Sequence, residues 1–138
     1  MSDIKQVIVI RKDLKMRRGK EIAQGSHASM SFMTELVRGR RSCVNQTAFT
    51  DTPFGLEPLT ETDIEWICNG FPKICLQVNS EEELDDIYER AILAGLKCHM
   101  IIDCGKTEFG GIPTKTCLAI GPDKAEHIDK ITSNLSLY

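Results

Sequence analysis

At 138 residues, 41% hydrophobic and 27% charged, the chain is long enough for one hydrophobic core and has the composition of a soluble globule. No apolar run approaches the roughly 20 residues that span a bilayer, and the first five residues lack a signal-peptide pattern, so no membrane association and a cytoplasmic location are expected. The net charge of −3 argues against a nucleic-acid partner only as an average: residues 1–42 carry +6 and the rest −9, a basic footprint for phosphates on an acidic body.

In chain order, the β-branched run Val7-Ile8-Val9-Ile10 predicts a strand buried on both faces. A basic, glycine-containing loop follows, and a helical pattern begins near Lys20. At roughly 100° per residue, Ile22, Ser26, Ser29, Met30, Met33, Leu36 and Val37 share one arc, with Ala23 at its edge, and this arc is the expected core face. Lys20, Gln24, His27, Ser31, Thr34 and Arg38 form a flank beside it. Thr34 and Arg38 read as solvated, whereas Lys20, Gln24 and His27 lie at the helix start, where free N–H groups and the dipole favour anions. Gly25 costs about 1 kcal/mol in a helix relative to Ala, which points to close packing or close approach of a ligand.

Residues 41–72 are expected to form an irregular insertion within a single domain covering 1–138. Residues 43–59 read as a loop, Thr60-Glu-Thr-Asp63 caps a short helix through Trp66, and Gly70-Phe-Pro72 stops it. Residues 74–78 predict the second strand. Ser80-Glu-Glu-Glu83 is a capping box that opens a helix with Leu84, Ile87, Tyr88 and Ala91 at helical spacing and Gly95 as its stop. Residues 99–102 predict the third strand, ending at Asp103, and 116–120 the fourth. Gly121-Pro-Asp123 then opens a last helix with Ile128 and Ile131 inward.

The two helical crossovers make the first three strands parallel, and the helix-free link between the third and fourth makes those two antiparallel neighbours. The expected fold is thus α/β: one mixed four-stranded sheet, three strands parallel and one antiparallel, with helices packed on both faces. The six cysteines contain no Cys-x-x-Cys pair. Cys75, Cys98 and Cys117 lie in or beside strands and read as buried free thiols, so neither a disulfide framework nor a metal site is expected.

Parallel strands share a carboxyl-end edge, where α/β sheets bind ligands. The loop after Ile10 and Asp103 meet there, and an antiparallel fourth strand begins there. Lys20, Asp103, Thr107 and Thr116 therefore converge as a cation, a carboxylate and hydroxyls beside an anion-friendly helix start. Gly105-Lys-Thr107 matches the end of a phosphate-binding P-loop, but the required first glycine would stand at Met100 and Gly110-Gly-Ile-Pro113 follows where a helix should start. A nucleoside-triphosphate site is rejected.

The run Asp13-Leu14-Lys15-Met16-x-x-Gly19-Lys20-x-x-Ala23-Gln24-x-x-His27-Ala28 closely resembles the opening of the archaeal/eukaryotic-type peptidyl-tRNA hydrolases, the Pth2 family. Asp103-x-Gly105-x-Thr107 resembles its second signature, closed by Leu118-Ala-Ile-Gly-Pro122, and the likeness covers nearly the whole chain except about 41–62. The resemblance implies the same fold and hydrolysis, without a cofactor, of the ester between a peptide and the tRNA 3′-terminal ribose. It places the family's functionally important lysine on Lys20, its aspartate on Asp103 and its threonines on Thr107 and Thr116. Between those threonines Glu108-Phe-Gly-Gly-Ile-Pro113 is one residue longer than the family pattern, so Thr114 competes with Thr116. Arg17 and Arg18 stand where a Gly-Lys pair is common.

On this reading Asp103 orients or deprotonates water, Lys20 stabilises the oxyanion or a phosphate, and the threonines position water or ribose. Gln24 is a supporting residue; His27 reads first as a hydrogen-bonded structural residue and second as a base. The acceptor end of peptidyl-tRNA lies over Lys12, Lys15, Arg17 and Arg18 through phosphate contacts, and a homodimer is left open. Two other readings stand beside it. One is a non-catalytic tRNA- or protein-binding module on the same fold. The other is a thiol enzyme using Cys104, next to Asp103, for which the sequence places no partner histidine.

Overall fold

Strand β1 (Ile4–Arg11) alternates between two apolar environments: Val7 and Val9 pack on one side of the sheet, Ile8 and Ile10 on the other, and all four are buried. The computed structural model describes residues 3–43, 59–106 and 108–138, with the backbone alone at 39–43. Thr107 and residues 44–58 of the expected irregular insertion lie outside the described residues.

After β1, a 3-10 turn at Lys12–Leu14 leads into helix α1 (Arg18–Cys43). Helix α2 (Glu61–Cys68), strand β2 (Lys73–Val78), helix α3 (Glu81–Leu93), strands β3 (Cys98–Asp103) and β4 (Thr114–Lys124) and helix α4 (Ala125–Thr132) follow. The caps act locally, as the sequence predicts. The Thr60 hydroxyl accepts the Asp63 N–H, and the Asp63 carboxylate accepts the Thr60 N–H. Ser80 accepts the Glu83 N–H, but the Glu83 carboxylate takes the N–H of Asn79 rather than that of Ser80. The last helix opens later than expected: Gly121, Pro122 and Asp123 stay in β4. Gly121 has φ +92°, and a Cβ there would stand 2.9 Å from the Lys5 carbonyl oxygen of β1.

The sheet order is β2-β1-β4-β3. Only β1 and β2 pair in parallel; β4 is antiparallel to both β1 and β3. The expectation of three parallel strands is therefore corrected to a single parallel pair, because β4 is inserted between β1 and β3. Burial explains the order. Residues 116–122 are buried without a break, which requires neighbours on both edges and cover on both faces, whereas Cys98 is the one buried residue of β3. Each antiparallel to β4, β1 and β3 still point the same way, so their carboxyl ends meet the start of β4 at one edge.

Helices cover both faces. Leu84, Ile87 and Ala91 of α3 and Ile128 and Ile131 of α4 share a core cluster with Val7, Val9, Leu118 and Ile120. On the other face Ala28 of α1 meets Ile8, Ile10, Cys117 and Ala119, and Phe32 stands edge-on to Trp66 of α2, ring centroids 5.8 Å apart.

Helix α1 does not present its expected core arc. Gln24, Ala28, Ser31 and Phe32 are buried, while Ile22 (64% exposed), Met30 and Val37 face solvent. The buried arc is rotated by nearly half a turn. Polar side chains turn inward because they find partners there: Gln6 of β1 and Ser29 exchange hydrogen bonds at 2.9 and 2.6 Å, Ser31 donates to the Ala28 carbonyl, and Gln24 is bonded to β4. Cys98 and Cys117 are buried as expected, but Cys75, on the marginal strand β2, is exposed.

Candidate active site

The first turns of α1 lie over the carboxyl end of β3. Lys20 Nζ meets Asp103 Oδ1 at 2.7 Å, joining residues 83 positions apart. Gln24 is one helical turn further on, which places it on the same side of α1 as Lys20. Its Nε2 donates to the same Asp103 oxygen at 3.3 Å, and its Oε1 accepts the hydroxyl of Thr116 at 2.6 Å. Gln24 is 3% exposed and Thr116 0%. The Gln24 carbonyl also accepts Cys117 Sγ at 3.4 Å.

Thr116 and Cys117 are adjacent, and a regular strand would turn them to opposite faces. The β3–β4 register steps from Ile101↔Cys117 to Ile102↔Lys115, leaving Thr116 as the extra residue of β4. This bulge lets both side chains reach Gln24.

The second Asp103 oxygen, Oδ2, accepts the Gly105 N–H at 2.9 Å. Gly105 has φ +82°, and a Cβ there would collide with the backbone of Ile112, so the turn that aims this N–H at the carboxylate requires glycine. The Phe109 ring centroid lies 5.9 Å from Lys20 Nζ. Phe109 is the site residue that sequence reasoning did not single out; its only signal is its place in the loop between the signature threonines.

These contacts hold the Asp103 carboxyl below its ordinary range. The hydrogen bond from Lys20 is the largest cause; burial opposes it, and the Gly105 N–H and Gln24 amide reinforce it. Among the described residues three donors reach this carboxylate, two on Oδ1 and one on Oδ2, against roughly four lone-pair positions. The cluster thus presents an ionised carboxylate beside an ammonium group.

The other expected residues among those described lie around this cluster, His27 lining one groove with Gln24 and Asp103. Thr114 is half-buried, and its hydroxyl donates to the Ile112 carbonyl at 2.8 Å. His27 is exposed. Lys12, Lys15, Arg17 and Arg18 are exposed around the start of α1; Arg17 is 92% exposed in its side chain, with Glu108 3.9 Å away. Cys104 is exposed, and among the described residues no histidine is hydrogen-bonded to it. Among the described residues no group of three His, Cys, Asp or Glu side chains is placed to hold a metal ion, and no helix is long and apolar enough to cross a membrane.

Residues 4–138, which include every member of this cluster, match the family model described as peptidyl-tRNA hydrolase PTH2. The chain belongs to the PTH2 family. Three archaeal relatives are similar over nearly their whole length. The peptidyl-tRNA hydrolase of Methanocaldococcus jannaschii is 40% identical over 134 residues, 97% of this chain and 99% of that protein. That of Haloquadratum walsbyi is 38% identical over 98% of this chain and 100% of its own length. That of Sulfurisphaera tokodaii is 36% identical over 96% and 97%. A solved structure of an Agrobacterium tumefaciens protein of unknown function matches at TM-score 0.53 and 13% identity, covering 100% of this chain and 99% of that one, a likeness of fold alone.

Proposed function

We propose that this PTH2 member hydrolyses the ester between a peptide and the 3′-terminal ribose of tRNA at the cluster of Lys20, Gln24, Asp103 and Thr116. The observation that carries the residue roles is the 2.7 Å pairing of Lys20 with Asp103, which sets a cation beside an ionised carboxylate. The relatives' names do not favour a non-catalytic module on this fold.

A water molecule donates one proton to Asp103 Oδ2 and attacks the ester carbonyl. With its pKa lowered, Asp103 is a weak base, so its main work is to orient the water while the proton shifts. The carbonyl oxygen gains negative charge beside the Lys20 ammonium, and this attraction strengthens as the tetrahedral intermediate forms. Collapse breaks the ester bond, and the ribose oxygen takes up the proton released by the water. The products are a peptide acid and tRNA with its terminal hydroxyl restored. Gln24 steadies Asp103, and Thr116, out of contact with solvent, is a positioning residue that acts through Gln24. Thr107 positions water or ribose, and Lys12, Lys15, Arg17 and Arg18 hold acceptor-stem phosphates. The substrate is a product of translation, which places the work in the cytoplasm.

The test is peptide release from peptidyl-tRNA by the purified protein without added metal. Asp103→Asn is expected to lower kcat about 100-fold or more, with a melting temperature close to wild type because the residue sits at a strand end. An inactive wild-type protein overturns the reading, and near-normal turnover in the variant removes Asp103 from it.

A further inference from the structure

The two edges of the sheet are finished differently. The outer edge of β2 is covered by the end of the chain: Leu76 bridges Leu137, Gln77 N–H donates to the Ser136 carbonyl at 2.9 Å, and Tyr138 N–H donates to the Cys75 carbonyl at 3.0 Å. The outer edge of β3 has no strand partner among the described residues. Its sequence, Cys98-His-Met-Ile-Ile-Asp103, holds neither the proline nor the lysine with which natural edges discourage pairing, and Ile102 is 59% exposed. Since the Lys97 carbonyl accepts the Gly121 N–H at 2.8 Å, the alternation of an antiparallel ladder turns the backbone groups of Cys98 and Met100 away from β4. Beside this edge a groove of about 410 Å³ runs between α1 and β3, from Gln24 and Asp103 past Met30 to Thr34 and Arg38.

We propose that the open edge of β3 binds the peptide part of peptidyl-tRNA as an added strand, an inference that rests on the active-site reading above. If the ester sits at Asp103, the ribose and tRNA lead off towards the basic start of α1. The peptide must leave by another path, and the groove along α1 and β3 begins at the same aspartate. The peptide's carboxyl end lies at Asp103, the last residue of β3, and its earlier residues lie back towards Cys98. It therefore runs parallel to β3. At about 3.3 Å per residue, the edge accommodates about five peptide residues.

Backbone pairing suits this substrate, because nascent peptides share a backbone and an ester but no sequence. Main-chain hydrogen bonds supply affinity common to all of them, and alternate side chains enter the groove between Met30 and Ile101.

The experiment compares N-acetyl-aminoacyl-tRNA with peptidyl-tRNAs carrying two to five residues, all on the wild-type protein. KM is expected to fall about tenfold in total as the peptide lengthens, with kcat nearly constant, because the added contacts are made equally in ground and transition states. N-methylating one peptide nitrogen at a time should raise KM at every second position and leave the intervening positions unaffected. Thr34→Trp, which fills the far part of the groove, should raise KM for the five-residue substrate and leave N-acetyl-aminoacyl-tRNA unchanged. Cleavage with a KM indifferent to length and to N-methylation overturns the proposal. The same indifference in a protein that sediments as a dimer assigns the edge to a second copy and likewise overturns it. Failure to cleave even N-acetyl-aminoacyl-tRNA overturns the active-site reading and this inference together.

Discussion

The hydroxyl of Thr116, fully buried in β4, donates to Oε1 of Gln24 at 2.6 Å. The other end of that amide is thereby turned towards Asp103, so a residue without solvent contact sets the geometry of the carboxylate. Thr114, its competitor in the sequence, spends its hydroxyl on the Ile112 carbonyl.

Thr116→Val keeps the shape but removes the donor, leaving Gln24 Oε1 buried without its partner. We expect kcat to fall about tenfold with little change in KM, and stability to fall by about 1–3 kcal/mol. Thr116→Ser should restore much of both, and Thr114→Ala should stay near wild type. Melting curves and steady-state kinetics on the three variants check this; equal losses at 114 and 116 would count against the assignment.

The pH dependence follows from Lys20. Its hydrogen bond is the largest cause of the lowered Asp103 carboxyl, so the folded-state pKa lies below the unfolded one. This carboxylate stabilises the fold above its unfolded pKa, and that contribution disappears as pH falls through the folded pKa. Lys20→Met should shift the acid limb of kcat/KM and the midpoint of acid unfolding upward in pH, and should also lower kcat at saturating substrate. An acid limb that stays in place would show that Asp103 does not govern it.

On the proposed reading the basic start of α1 serves binding rather than the ester. Arg17→Ala with Arg18→Ala should weaken tRNA binding about equally for all tRNAs. Each lost phosphate contact should reduce the slope of log affinity against log salt by roughly 0.7 to 0.9, with turnover of bound substrate little changed. An unaltered slope would mean that the two arginines are merely solvated, and would leave the catalytic assignment in place.

The cysteines divide by burial. Desolvation pushes the Cys98 thiol up to about 12 and the Cys117 thiol up to about 11, so neither is a thiolate at neutral pH. Cys104 is exposed beside Asp103, and Cys104→Ala is expected to retain near wild-type turnover. A folded but inactive Cys104→Ala protein that still binds tRNA would favour thiol chemistry.

Most elements were legible in the sequence because their causes are local. Thr60 and Ser80 cap the helices that follow them, and the β-branched run at 7–10 favours a strand. The meeting of Lys20 and Asp103 was legible from strand direction, since the carboxyl ends of β1 and β3 share an edge in either sheet order. The sheet order itself depended on which strand could be buried on both faces, a comparison between β3 and β4 that neither makes alone. The inward face of α1 was misread because hydropathy ranks Ile22 and Met30 above Gln24 and Ser31, while burial also rewards polar groups that find partners. The contact of Thr116 with Gln24 depended on a bulge: strict alternation would part it from Cys117, and the extra residue in β4 lets both reach Gln24. Capping and strand propensity act within a few residues along the chain, whereas the partners of Gln24 stand 79, 92 and 93 positions away and meet it only once the sheet has formed.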